Sequence, residues 1–409
     1  MKRSTSLQPK RIVWVRNMLL DIDLYAKAET KILHCLTKRG YEIFYVSSYS
    51  KQKPKFGNSK IHLFSIALGK NVPLKYHVIS GLVQFFSFPL YLVRVKPRFV
   101  IVDWDSLFGL MLMLPFYQLL GAKVILDVRS TPTPIENTNR EIGLRMYLLN
   151  LMFSASVYVA KSTLDGMTII TDLMKKEICS RFRIDPQWVG VWSSGVPVEL
   201  FRPESHVQEG IELRENLGLS HKFMVFYHGG FGQSRGLMDA ISAMSILKDR
   251  CPDAVLFMLG TGPIQTVRDM REAIQNGGLQ DRVVLHDAVS YTEVPKYIAM
   301  CDVGIVPLPD IPQWRNQSPL KLLEYLAMKK VVILTDIPCH REIVGTNNCG
   351  IYLSSISPAE IAGAITFAHD NKEKLKEWGE KGLTIVESKY TCERVATNLD
   401  RYLRWVENK

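Results

Sequence analysis

Ser318, Lys321 and Glu324 are spaced three residues apart, with Pro319 directly after the serine. Proline suits the first turn of a helix, where its missing N–H costs nothing, and serine is a good N-cap. Ser318 is therefore expected at the cap and Pro319 at the first helical position. Lys321 then falls in the first turn, beside free backbone N–H groups and the positive end of the helix dipole. That setting favours a bound anion such as a phosphate. Glu324, one turn on, offers a carboxylate to sugar or ribose hydroxyls. The apolar run Val331-Val332-Ile333-Leu334 follows as a buried strand, with Glu342 beyond it. A diphosphate and a polyol handled together point to a nucleotide-sugar site. The plainer alternative is an N-capped amphipathic helix with an incidental Lys–Glu pair.

Two glycine-bearing turns add to this set. Gly229-Gly230 follows an expected strand at 223–227, and Gly260-Thr261-Gly262-Pro263 follows another at 254–259. Without side chains, backbone N–H groups there can approach a diphosphate, although glycines in such turns are also ordinary turn formers. Arg235 lies close behind the first pair and is suited to bidentate phosphate contact.

The elements that must position these residues follow a βαβ rhythm. In the first half, strands are expected at 12–15, 41–47, 97–103, 123–128, 168–171 and 189–192, with helices at 25–38, 107–120 and 172–182. The rhythm restarts with strands at 223–227, 254–259, 283–286, 303–306 and 331–334 and a helix at 236–249. Residues 377–409 read as helical at both ends, with an irregular break near 388–391. Alternation of this kind implies doubly wound parallel sheets. At 409 residues the chain is too long for one core. Its 47% hydrophobic and 22% charged residues are ordinary for a globular protein. Seven cysteines without CxxC spacing imply neither a disulfide framework nor a zinc site. Residues 1–10 are polar and basic and lack the apolar segment of a signal peptide, so a cytoplasmic protein is expected.

Charge is unevenly placed. Residues 1–200 hold 27 Lys and Arg against 14 Asp and Glu, a net of +13, whereas the remainder is near neutral. Residues 51–100 hold nine basic residues and no acidic one. Two apolar runs, 81–93 and 107–120, lie in or beside this region. Both fall short of the roughly 18–20 residues that span a bilayer, and each contains a proline, Pro89 or Pro115. They read as buried helices or as an interfacial surface on anionic lipid, with Lys70, Lys75, Arg94, Lys96 and Arg98 facing headgroups. No zinc-finger, RNP-like or recognition-helix signature accompanies the charge, so nucleic acid is not expected as a partner.

Taken together, these segments resemble the GT-B glycosyltransferases, specifically the retaining nucleotide-sugar enzymes of family 4. The resemblance is strongest over 166–345. It rests on 166–173 leading into Ser193-Ser194-Gly195-Val196-Pro197-Val198-Glu199-Leu200-Phe201-Arg202-Pro203, then Tyr227-His228-Gly229-Gly230, Arg235-Gly236, Leu259-Gly260-Thr261-Gly262-Pro263, Cys301-Asp302-Val303 and 318–342. It implies an α/β GT-B fold: two Rossmann-like doubly wound parallel-sheet domains facing a cleft. A basic acceptor-binding domain is expected at 1–200 and a nucleotide-sugar domain at 201–385. A helix over 386–409 is expected to pack back on the first domain. Gly229, Gly230, Arg235, Gly260, Gly262, Ser318, Lys321 and Glu324 become donor-binding candidates. Arg235 and Lys321 would neutralise the departing nucleoside diphosphate, where charge accumulates as the glycosidic bond breaks.

The departures are informative. Family members space two glutamates eight apart; Glu324 matches the second, but Asn316 occupies the first. An amide there can still hydrogen-bond the donor sugar. The first strand is followed by Arg16-Asn17-Met18-Leu19-Leu20-Asp21 where relatives often have a glycine-rich loop, so Arg16 is expected to serve through its side chain. Relatives often place a histidine where this chain reads Asp127-Val128-Arg129-Ser130. Asp127 and Arg129 are acceptor-side candidates and, together with Asn316, the catalytic candidates; alternatively Asp127 and Arg129 form a structural ion pair. Asp21-Ile22-Asp23 and Asp103-Trp104-Asp105 match the metal-binding triplet of GT-A enzymes, a pattern short enough to arise by chance. Asp103 or Asp105 is a further acceptor-side candidate. No metal or other cofactor is expected to be required.

The resemblance implies a retaining, metal-independent glycosyltransferase with a nucleotide-sugar donor. Its acceptor is expected to be a saccharide, free or linked to polyprenyl phosphate, held at the cytosolic face of an anionic membrane. Two alternatives stand beside it. A GT-B nucleotide-sugar epimerase would need paired acids and a histidine, where this chain offers Asn316 and a lone His286. A non-catalytic subunit binding nucleotide or lipid is the other.

Overall fold

The computed structural model describes residues 10–19, 24–49, 57–67, 93–104, 106–107, 114–132 and 140–409. The chain divides into two compact units, Met1–Gly195 with Cys392–Lys409, and Val196–Thr391. The sequence reading had placed these divisions at 200/201 and 385/386.

The first unit holds β1 (Lys10–Leu19), α1 (Leu24–Lys38), β2 (Tyr41–Tyr49), β3 (Ile61–Ala67), β4 (Phe99–Asp103) and α2 (Leu114–Leu119). It continues with β5 (Lys123–Val128), α3 (Arg140–Thr163), β6 (Gly166–Ile169), α4 (Asp172–Phe182) and β7 (Val189–Val191). Its seven strands are parallel in the order β3-β2-β1-β4-β5-β6-β7. Alternate residues of each strand point to opposite faces. Val13, Val100 and Val124 meet Phe153 and Val157 on one face, while Ile12, Trp14, Ile101 and Ile125 form a second core on the other. Burial on both faces accounts for the continuous apolar runs that marked these strands in the sequence.

The second unit opens with α5 (Pro203–Asn216), β8 (Phe223–Gly230), α6 (Leu237–Ile246), β9 (Ala254–Thr261), α7 (Ile264–Asn276), β10 (Val283–His286) and α8 (Val294–Ala299). It proceeds through β11 (Val303–Val306), α9 (Pro312–Arg315), α10 (Leu320–Ala327), β12 (Val332–Thr335) and α11 (Pro338–Val344). β13 (Gly350–Leu353), α12 (Pro358–Asp370) and α13 (Lys372–Ile385) complete it. The strand order is β10-β9-β8-β11-β12-β13, again parallel. The order reverses between β8 and β11, and in such sheets ligands bind beyond the strand C-termini at this reversal.

The expected break near 388–391 is a wider, π-type turn over Val386–Tyr390, after which α14 (Cys392–Glu407) begins. α14 completes the first unit. Its Val395, Ala396, Leu399, Leu403 and Val406 lie in the same core as Ile12 and Trp14. Its Tyr402 hydroxyl accepts the Met167 N–H at 2.9 Å and donates to the Trp188 carbonyl at 2.7 Å. The Tyr402 ring lies against Gly190, leaving no room there for a side chain.

Residues 81–92 of the first apolar run lie outside the described residues, as do 108–113 of the second, Lys70, Lys75, Asp21, Asp23 and Asp105. The helix expected over 107–120 is described only as α2. No helix among the described residues is long and apolar enough to cross a membrane.

Candidate functional site

In the second unit, β8 and β9 run side by side with Gly229 opposite Gly260 and Gly230 opposite Thr261. Gly229 has φ +117°, a backbone conformation that L side chains rarely adopt. A Cβ at Gly229 would lie 3.2 Å from Lys321 Nζ, so the glycine brings the backbone against this cation. A Cβ at Gly260 would run into the Gly229 carbonyl oxygen, and one at Gly262 into the Phe231 carbonyl. These two glycines thus let the neighbouring strand ends close up. Gly229→Ala is expected to cost ~1–2 kcal/mol of stability from backbone conformation alone, readable by urea denaturation; an unchanged midpoint would contradict the strained geometry.

Lys321 lies on α10 with its Nζ buried 3.7 Å from the centroid of the Tyr227 ring. Among the described residues that ammonium has no hydrogen-bond partner. Burial, reinforced by Arg235, holds its pKa well below the usual lysine value, while Glu324 acts the other way. The Tyr227 hydroxyl donates to the Gly230 carbonyl at 2.8 Å and ties the strand end down. Arg235 ends a short 3-10 turn (Gln233–Arg235) and stands 4.9 Å from the centroid of the Trp314 ring. Trp314 Nε1 donates to the Ser234 carbonyl at 2.8 Å, so α9 and this turn are fixed to each other.

Glu324 is 1% exposed on the same helix as Lys321. Burial raises its pKa to about 7 against the opposing pull of the Tyr291 hydroxyl and Lys321. Its Oε2 is 3.3 Å from Nε2 of His228, a residue the sequence reading quoted in Tyr227-His228-Gly229-Gly230 without assigning it a role. Burial and Lys321 hold the His228 pKa well below the usual histidine value, so the imidazole is neutral at pH 7. The position of His228 at the buried end of β8, pointing to the face that α10 covers, is the signal that could have found it. Its N–H is accepted by the Tyr325 hydroxyl at 3.1 Å, which itself donates to the Phe226 carbonyl at 2.9 Å.

One expectation about this helix is corrected. The N-cap is Pro319 (ψ 104°, extended), not Ser318, and helical geometry begins at Leu320. Ser318 is buried just outside the helix. Lys321 keeps its place in the first turn. Asn316 is the half-buried C-cap of α9, on the segment that leads into α10.

The first unit treats its candidates differently. Arg16 is buried, with Nε 3.0 Å from Glu29, Nη2 2.7 Å from Asp127, and Nη1 paired to Asp103. Asp127, 1% exposed, also accepts from Thr168 Oγ1 at 2.6 Å and Trp192 Nε1 at 3.0 Å. Both groups thus face internal partners, where the sequence leads one to expect Arg16 at the donor and Asp127 at the acceptor. Arg16, Asp103 and Asp127 form an internal charge cluster. Arg129 lies over the Trp192 ring, 3.7 Å from its centroid, and donates to the Trp192 carbonyl. Of the basic residues expected to face headgroups, Arg94 and Lys96 are exposed, while Arg98 is half-buried beside Glu407.

Residues 211–384 match the family model for glycosyl transferases group 1. The alpha-D-kanosaminyltransferase of Streptomyces kanamyceticus is 23% identical over 188 residues, 46% of this chain and 47% of the relative. This chain therefore matches about half the length of that protein. A glycosyltransferase structure from Rickettsia africae superposes with a TM-score of 0.75 at 16% identity, covering 98% of this chain and 100% of the other. The Anabaena protein HepE, crystallised with UDP and glucose, gives 0.72 at 12% identity, covering 96% and 99%. Residues 211–384 thus resemble a group 1 glycosyl transferase domain, and the fold is that of the GT-B glycosyltransferase structures.

Proposed function

We propose that this protein is a retaining, metal-independent glycosyltransferase that moves a sugar from a nucleoside-diphosphate donor to a saccharide acceptor. The observation that carries this reading is the Lys321 ammonium, buried without a hydrogen-bond partner against Gly229 at the end of β8. A buried cation in that state is costly unless an anion completes it. A donor diphosphate supplies that anion, with Lys321 and Arg235 offsetting the charge that develops on the leaving group. Glu324 accepts the ribose hydroxyls, and Asn316 contacts the donor sugar. The leaving phosphate takes the acceptor proton, so no protein nucleophile is required. The UDP-bound state of HepE supports a uridine nucleotide as the first donor to test. The acceptor is lipid-linked and is met at the cytosolic face of an anionic membrane, a reading supported by the net +13 over residues 1–200.

A thermal-shift panel of UDP-, GDP-, ADP- and dTDP-sugars tests the donor site, because a ligand bound to the native state raises its stability. One nucleotide class is expected to raise the melting temperature, and no shift with any of the four would defeat the proposal. The pH dependence follows from two groups. Glu324 is pushed up to about 7 in the free protein, and ribose hydroxyls favour its ionised form. Affinity therefore climbs with pH up to about 7, by at most tenfold per unit. Lys321 starts from a depressed value, and a diphosphate favours its charged form. Affinity falls again once the pH passes that depressed value. Calorimetric titration of UDP across pH should show an affinity that varies with pH; a flat profile would exclude these two groups as ligands.

A further inference from the structure

Helix α3 is apolar on both sides. Phe153, Val157 and Ala160 fill the core of the first unit, and Ser156 Oγ donates to the Trp104 carbonyl at 2.9 Å. The opposite side carries Leu144, Tyr147, Leu148, Leu151, Met152 and Tyr158, which are 41–66% exposed. Positions 144, 148, 151 and 158 follow the helical repeat, so these side chains line one stripe along the helix. A surface helix of a soluble domain ordinarily carries charged or polar residues on this side.

The stripe has neighbours. The Gln118 side chain donates to the Thr163 carbonyl, which sets the end of α2 beside the end of α3. There Leu119 is 84% exposed and Leu120 is 44% exposed. Exposed Arg181 donates to Ser154 Oγ at 3.2 Å, bringing a guanidinium to the flank of α3. No acidic residue occurs from 142 to 164, whereas Arg145 and Lys161 do.

We propose that this face of α3, extended by Leu119 and Leu120, rests on the surface of an anionic lipid bilayer. The inference deepens the membrane-side acceptor proposed above and rests on that reading for its purpose. Apolar side chains would enter the headgroup boundary, with Tyr147 and Tyr158 at the depth that suits amphipathic rings and cations at the edge. Charge complementarity selects this occupant over a second copy of the chain. Two copies would bring together surfaces from a region with a net charge of +13, whereas anionic headgroups attract it.

Flotation of the full chain tests this with phosphatidylcholine vesicles, with and without phosphatidylglycerol. The wild type is expected to float with the anionic vesicles, more strongly at low salt. Leu148→Glu/Leu151→Glu and the uncharged Leu148→Ser/Leu151→Ser should each lower vesicle partitioning by at least about tenfold. Both pairs are exposed, so circular dichroism and melting should remain those of the wild type. The nucleotide-induced thermal shift should also persist, because the donor residues lie in the other unit. A wild type that stays unbound to both vesicle types overturns the proposal, as do variants that float equally well. A dimer that the serine pair dissociates also overturns it in favour of a second copy. Loss of the nucleotide shift alone, with flotation intact, counts against the donor site and not against this surface.

Discussion

Replacing Lys321 with methionine is expected to lower kcat/KM for sugar transfer by about 10²–10³-fold while making the free protein more stable. Both effects have one cause. The ammonium is buried beside the Tyr227 ring with no hydrogen-bond partner, and Arg235 adds a second positive charge nearby. Methionine keeps most of the volume and removes the desolvation cost, which is worth ~1–4 kcal/mol when a buried charge gives way to an apolar side chain. The sign can be checked against pH. A lysine whose folded pKa is depressed binds fewer protons folded than unfolded, so it destabilises fully below the depressed value. That cost fades as the pH approaches the ordinary lysine value of 10.5. The variant's advantage should thus be largest below that depressed value and shrink towards pH 10. Urea denaturation at several pH values, paired with initial rates, gives both readouts. Unchanged turnover would sink the donor assignment, and a variant that is active but less stable would sink the electrostatic argument as well.

The second large effect concerns stability alone. Arg16→Met should destabilise the first unit by ~3–5 kcal/mol, because it leaves Glu29, Asp103 and Asp127 together with no cation among them. Arg16→Lys should recover only part of the loss, since one ammonium cannot reproduce three guanidinium contacts. Adding Asp127→Asn to Arg16→Met should restore part of it too. If Arg16→Met unfolds at the wild-type urea concentration, the cluster is not structural, and a substrate role for Arg16 returns to consideration.

The contrast between Lys321 and Arg16 shows what the sequence made legible. Strands such as Lys123–Val128 and Val303–Val306 were visible because burial on both faces leaves an unbroken apolar run. The Lys321 and Glu324 spacing was visible because both lie on one short helix, where local periodicity fixes their neighbourhood. Arg16, Asp103 and Asp127 were not legible as a cluster. They come from β1, β4 and β5, and only the order of strands in the sheet makes them neighbours. His228 was missed for the same reason: its partner Glu324 lies 96 positions away, on a helix that covers its strand. Helix α3 and strands β3 and β13 were not anticipated either. α3 lacks the polar side that normally reveals a surface helix, and β13 is only four residues long.

The return of α14 to the core of Ile12 and Trp14 also bears on how the chain is made. During synthesis residues 10–195 emerge first, yet one face of their sheet, covered in part by Ile32, Leu33 and Leu36 of α1, lacks the rest of its cover until residues 392–409 leave the ribosome. Val196–Thr391 is contiguous and can fold as soon as it has emerged. The second unit, although later in the chain, is therefore positioned to mature first. Ile12 and Trp14 must wait for part of their cover until the residues of α14 have been made.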